Sequence, residues 1–188
     1  MKAIMLTIRL KWFYLTYKGI KTIEVRKSAP KDFVGDVFEV VSKTNFEKDL
    51  MEIPESEREF FKQFKGKVGL KFTLNKVEEI KSKYVGFADY STSVLNMAGI
   101  EMLSCLKHEE LFEYLKYEKG YAWHISNLVI FDKPKELGEF KHYNKPNCDS
   151  CPFQHSALCE YHIEVECDDI PLTKAPQSYQ FIEVEGDK

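Results

Sequence analysis

The chain has 188 residues, 44% hydrophobic and 14% aromatic, with 27 Lys and Arg against 30 Asp and Glu for a formal net charge of −3. That length supports one well-filled core, and no Pro/Gly/Ser-rich linker divides residues 1–188, so a single domain is expected. No apolar run approaches the ~20 residues of a membrane span, and Met1-Lys2-Ala3 leads straight into a strand pattern and not a signal peptide; both point to the cytoplasm and away from a membrane.

The charge is unevenly spread. Residues 1–31 hold eight Lys or Arg and one acid, Glu24, so the remainder of the chain is distinctly acidic. A basic beginning on an acidic body suits a localised anion-binding patch, whereas a pI near 6.0 argues against a broad nucleic-acid-binding surface.

At the amino terminus Ile4, Leu6, Ile8 and Leu10 alternate with Met5, Thr7 and Arg9, the period of a strand with one apolar and one partly polar face. Lys11–Lys18 fits one short helix or turn between two strands, closed by Gly19 where a left-handed cap is common. In the next strand Ile23 and Val25 point one way and Thr22, Glu24 and Arg26 the other, with Lys21 at its start. Thr7, Arg9, Lys21, Glu24 and Arg26 can therefore converge on one groove. The plainer alternative is a solvated sheet face with weak cross-strand ion pairs.

After a loop at Ser28–Gly35, Val37–Val41 reads as a buried strand. Pro54–Phe64 reads as an amphipathic helix with acids in its first turn, ended by Gly66. Val68, Leu70, Phe72 and Leu74 mark a strand continuing to Ile80. Ser82–Thr92 is irregular, followed by helical pieces at Ser93–Ala98 and Lys107–Lys116. Tyr121–Phe131 is a long strand, Asp132-Lys133-Pro134 a turn, and Tyr179–Val184 a last strand. Mostly sequential strands with short helices between them give an α+β protein whose curved sheet is expected to close as a small barrel.

Cys148-x2-Cys151-x7-Cys159 is a second signal. A Cys-x2-Cys knuckle lets two thiolates reach one tetrahedral ion, and Pro146 and Pro152 stiffen the turn. His162 is the favoured fourth ligand, Cys167 the competing one, and His155 a weaker third. Clustered thiols in a reducing compartment point to a structural zinc, with an iron–sulfur cluster and unligated thiols as the alternatives. Residues 144–167 are then a Cys-rich metal-binding insertion. Cys105, Trp12 and His124 are read as core residues.

Thr7-Ile8-Arg9, Gly19-x-Lys21-Thr22-x-Glu24-x-Arg26-Lys27 and Ala175-Pro176-Gln177-Ser178-Tyr179 together resemble the ASCH domain, a branch of the PUA-like superfamily. The segment from Ala122-Trp123-His124-Ile125 through Phe131-Asp132-Lys133-Pro134 looks like the penultimate strand of that family and its turn. These anchors bracket nearly the whole chain, and the cysteine insertion resembles a feature of phage or bacterial members. The resemblance implies a curved β-barrel with peripheral short helices and a zinc-knuckle-like insertion. It also implies a cleft lined by the first two strands and the last, and binding of RNA or other nucleic acid. Some members are hydrolases. In one bacterial branch, small amidohydrolases acting on acetylated cytidine, a lysine, a threonine and a glutamate lie at the cleft. Lys21 matches that lysine; Glu24 stands where the threonine would be, so that branch's nucleophile is missing, and Thr22 does not substitute by position.

The expected ligand is RNA or a nucleotide, held by Thr7, Arg9, Lys11, Lys21, Glu24, Arg26, Lys27, Gln177, Ser178 and Tyr179. The cations would meet phosphates, Gln177 and Ser178 a base edge or ribose hydroxyl, and Tyr179 would stack on a base. An alternative is a hydrolase of amidohydrolase or ribonuclease type, with Lys21 and Glu24 as its catalytic residues. A third is a zinc-stabilised adaptor whose protein partner the sequence does not name.

Overall fold

A computed structural model describes residues 1–80, 98–116, 118–143 and 171–185. Strand β1 (Lys2–Ile8) leads into helix α1 (Leu10–Tyr17), then β2 (Ile23–Arg26) and β3 (Gly35–Val41). Helices α2 (Phe46–Glu52) and α3 (Glu55–Lys62) follow, then β4 (Val68–Ile80), helix α4 (His108–Leu115), β5 (Gly120–Lys135), a 3-10 turn at Leu137–Glu139, β6 (Lys141–His142) and β7 (Tyr179–Glu183). Among the described residues the strands form one sheet in the order β2-β5-β4-β3-β1-β7-β6.

The architecture is α+β, but the expected barrel does not close. The physical reason lies in β1, which pairs in parallel with β3 on one edge and antiparallel with β7 on the other. Both its hydrogen-bonding edges are used, so β2, which pairs with β5 at the far end of the sheet, finds no free edge on β1 across the seam. The sheet nevertheless curls until a side chain spans the seam: Arg26 Nη2 on β2 donates to the Thr7 carbonyl on β1 at 2.7 Å.

The parallel pairing of β1 with β3 requires a crossover, and the chain uses it to carry α1 and β2. That crossover places Lys21, Glu24 and Arg26 beside the end of β1. Gly19 closes α1 at φ 69°, a left-handed conformation that glycine adopts without strain.

β1 is buried on both faces. Ile4, Leu6 and Ile8 join Phe13, Val37, Phe72 and Trp123 in the main core, while Ala3 and Met5 join Phe38, Val40 and Ile182 in a second cluster. Its expected partly polar face is therefore apolar up to Met5, and Arg9 lies beyond the strand as the residue capping α1. Ile23 and Val25 pack with Leu111 and Leu115 of α4 and Ile80 of β4 in a third cluster, which turns Glu24 and Arg26 the other way. Phe13 and Tyr17 of α1 meet Phe61 of α3 and Phe64 just beyond it in a group of aromatic contacts.

The expected turn at Asp132–Pro134 is a bulge within β5. Val68 pairs with Lys135 and Leu70 with Ile130, so the intervening β5 residues stand out of register. A proline, which has no N–H to give the ladder, fits there. Helix α2 was not anticipated; Asn45 starts it at φ 56°. Cys105 is half-buried at φ 59° and not a core residue. The Ser82–Thr92 segment, most of Ser93–Ala98, and the insertion with Cys148, Cys151, Cys159, His162 and Cys167 lie outside the described residues. Among the described residues no helix is long and apolar enough to cross a membrane.

Candidate functional site

Where β1, α1 and β2 meet, a cleft of about 490 Å³ opens, lined by Thr7, Arg9, Lys11, Trp12, Lys21, Glu24, Arg26, Ser42, Thr44, Glu110, Tyr114 and Gln177 among others. Seven of the residues singled out in the sequence thus reach one place: Thr7, Arg9, Lys11, Lys21, Glu24, Arg26 and Gln177. They come from three separate stretches of chain, residues 7–11, 21–26 and Gln177.

The floor is an ion triad. Lys21 is 2% exposed and Glu24 6% exposed, burial that excludes ordinary surface charges. The Lys21 ammonium donates to the Ile23 carbonyl at 2.7 Å and to Glu24 Oε2. Arg26 Nε lies 2.8 Å from the other carboxylate oxygen, Oε1. Burial by itself pushes the Glu24 carboxyl up, but the charges and hydrogen bonds of Lys21 and Arg26 outweigh it and hold the group below the usual carboxylate range. Both groups that Lys21 touches, the Ile23 carbonyl and the Glu24 carboxylate, are acceptors.

Arg9 is also committed. Its Nε donates to Asp49 Oδ2 at 3.1 Å and its Nη2 to Oδ1, a two-pronged grip on a fully buried carboxylate of α2. Thr7 donates its hydroxyl to the Pro176 carbonyl, which ties the Pro-Gln-Ser segment to β1 and brings Gln177 to the rim. Lys11 lies 3.8 Å from Glu110.

Three expected ligand contacts do not line the cleft. Lys27 is exposed, with its ammonium 5.4 Å from the centre of the Tyr114 ring. Ser178 takes part through its backbone, its carbonyl accepting from Thr7 N at 2.9 Å. Tyr179 turns inward and meets Trp123 edge to face at 5.1 Å, so it is not the stacking surface.

The rings that do reach the cleft are Trp12 and Tyr114. Trp12, expected in the core, is half-buried: one part packs against the core, another lines the cleft, and Lys11 Nζ sits 4.1 Å from a ring centre. Tyr114 is 40% exposed, and burial raises its pKa against the opposing pull of Arg26. Trp12 follows Lys11 within the first turn of α1, which is the local signal that its ring shares the cleft with that cation. Tyr114 sits two residues beyond Phe112 on α4, off the apolar stripe. His124, also expected in the core, is half-buried, with Nε2 2.8 Å from Glu78.

Behind the floor lies Glu39, which sequence reasoning passed over inside an apolar run. It is fully buried, and neither carboxyl oxygen has a hydrogen-bond partner among the described residues. Burial first, and then the charge of Glu24, push its pKa up to about 8, against the opposing pull of Lys21 and Arg26. Among the described residues no cluster of His, Cys, Asp and Glu is arranged to hold a metal ion.

No family model matches the chain, and no curated protein matches it. Among solved structures, ASCH from Zymomonas mobilis is similar at 12% identity and a TM-score of 0.47, covering 96% of this chain and 87% of that one. A mutant of the same Zymomonas mobilis protein gives 12% identity and a TM-score of 0.46, covering 96% of this chain and 90% of that one.

Proposed function

We propose that the protein is an ASCH-type module that binds nucleotides or short single-stranded RNA in this cleft, gripping a base between Trp12 and Tyr114 more than it grips the phosphate backbone. The observation that carries this reading is the company the rings keep: two aromatic side chains and the Gln177 amide line a cleft the size of small-ligand sites, above a buried ion triad. The sequence pattern from Gly19 to Lys27 supports the family assignment.

The charge balance shifts weight from phosphate to base. Arg9 is taken up by Asp49, Lys21 and Arg26 share Glu24, and Lys11 lies near Glu110, so the lining cations have about one charge to spare. Binding by such a site depends on stacking, at about 1–3 kcal/mol per base, with phosphate contacts secondary. Fluorescence anisotropy with a labelled oligoribonucleotide of mixed sequence tests it. Trp12→Ala and Tyr114→Ala are each expected to weaken binding about tenfold or more; affinity unchanged in both variants would refute the reading.

A second reading, hydrolysis of a modified nucleoside or RNA, is favoured by the contact between Lys21 and an ionised Glu24 at the floor. Turnover that survives both Lys21→Ala and Glu24→Ala would exclude it. For the cysteine insertion the proposal is a structural zinc on Cys148, Cys151 and Cys159 with His162 or Cys167.

A further inference from the structure

Glu39 does not line the cleft and makes no hydrogen bond to the ion triad, and a carboxyl in such a place needs an account. Its side chain follows the alternation of β3: Val37 and Val41 point into the main core, Phe38 and Val40 into the second cluster, so Glu39 points into the main core with Val37. It is in register with Leu6 on β1 and Leu70 on β4, neither of which offers a polar group. The charged groups that reach it are Glu24, Lys21 and Arg26, all members of the cleft floor. The indole Nε1 of Trp123, which is in register with Glu24 and packs in the same core, is likewise buried without a partner among the described residues.

We propose that Glu39 is a proton-loading site that sets the charge of the cleft floor. With its proton on, Glu39 is neutral and the Lys21–Glu24–Arg26 group keeps one positive charge in excess, which an anionic ligand can use. With the proton off, that excess is cancelled from behind. The pull of Lys21 and Arg26 keeps ionisation within reach, with a midpoint near pH 8. Tyr114, the other titrating group that meets Arg26, is pushed up by burial and stays neutral through this window. By reciprocity, an anion in the cleft should hold the proton on Glu39 more tightly.

The proton site stands apart from the proposed ligand; its effect on affinity rests on that reading. The sign follows from the direction of the shift. The folded protein holds the Glu39 proton above the ordinary carboxylate range, so stability from this group is greatest below that range and is lost as pH rises towards about 8. Glu39→Gln removes that loss. The experiment is thermal unfolding of wild type and E39Q from about pH 5 to about pH 9, with anisotropy of a labelled oligoribonucleotide at the two ends. The expected result is that E39Q gains on wild type steadily as pH rises, and that wild type alone binds about fivefold more weakly at the alkaline end. Parallel unfolding profiles overturn the proposal. Diverging profiles with pH-independent binding overturn the link to the cleft, while diverging profiles with no binding support the proton site and count against the binding function. Should E39Q fail to fold, the carboxyl carbon resonances of wild type decide: one glutamate titrating near pH 8 supports the site, and none doing so overturns it.

Discussion

Glu24 and Glu39 belong to one interior, yet their surroundings drive them in opposite directions. Glu24 has a cation on each oxygen and stays ionised although buried; Glu39 has no partner among the described residues and keeps its proton. Glu24→Gln should leave two buried cations without their counter-charge, at a cost of about 3 kcal/mol near neutral pH. Because the Glu24 pKa is lowered in the folded state, its stabilisation is present above the ordinary carboxylate range and lost as pH falls. Urea unfolding of E24Q and wild type should therefore converge in acid; a constant gap would show that Glu24 is not held ionised by folding. At this scale the sequence was informative about direction and silent about partners. The period of two correctly put Ile23 and Val25 opposite Glu24 and Arg26. It could not show that Arg9 would be claimed by Asp49, since Asp49 arrives from a helix that local pattern did not reveal.

Helix α1 is the element that turns a fold into a site. Its first residues carry Arg9, Lys11 and Trp12 to the cleft, and its buried face seats Phe13 against Phe61 and Phe64. The seat depends on Gly69 of β4, where an added Cβ would lie 2.4 Å from the Phe13 ring and 2.6 Å from that of Phe64. Gly69→Ala should destabilise the protein by about 1–3 kcal/mol through overpacking. It should also weaken ligand binding without touching the cleft, since the ring it displaces belongs to α1. Unfolding and anisotropy on the one variant check both, and a fully stable G69A would show that the aromatic seat yields freely. Elements with clean alternation, such as β4, were readable from sequence because one face of a strand is buried and the other is not. Where tertiary packing took over, the reading failed: the bulge at Asp132–Pro134 looks locally like a turn, and Trp12 looks locally like a core ring.

For the whole molecule, closure is decided by strand accounting. β1 lies inside the sheet with both edges paired, so the seam towards β2 is held by Arg26 and not by a ladder, and the cleft opens along it. Sequence pattern names strands but does not count their edges, which is why a barrel was expected. The cysteine insertion adds its own expectation. Native mass spectrometry should find one zinc per chain that is lost with Cys148→Ser or Cys151→Ser, and chelation should lower the melting temperature; a metal-free chain with an unchanged melting temperature would contradict a structural zinc. On the proposed function, charge decides how the ligand is held. With about one cation to spare, the cleft should release few counterions on binding. The salt dependence of oligoribonucleotide affinity is the most direct test: a plot of log K against log salt should have a slope of only about −0.7 to −1.4. A slope of about −3 or steeper, undiminished in Trp12→Ala, would mean that the strand is held by its phosphates elsewhere on the surface.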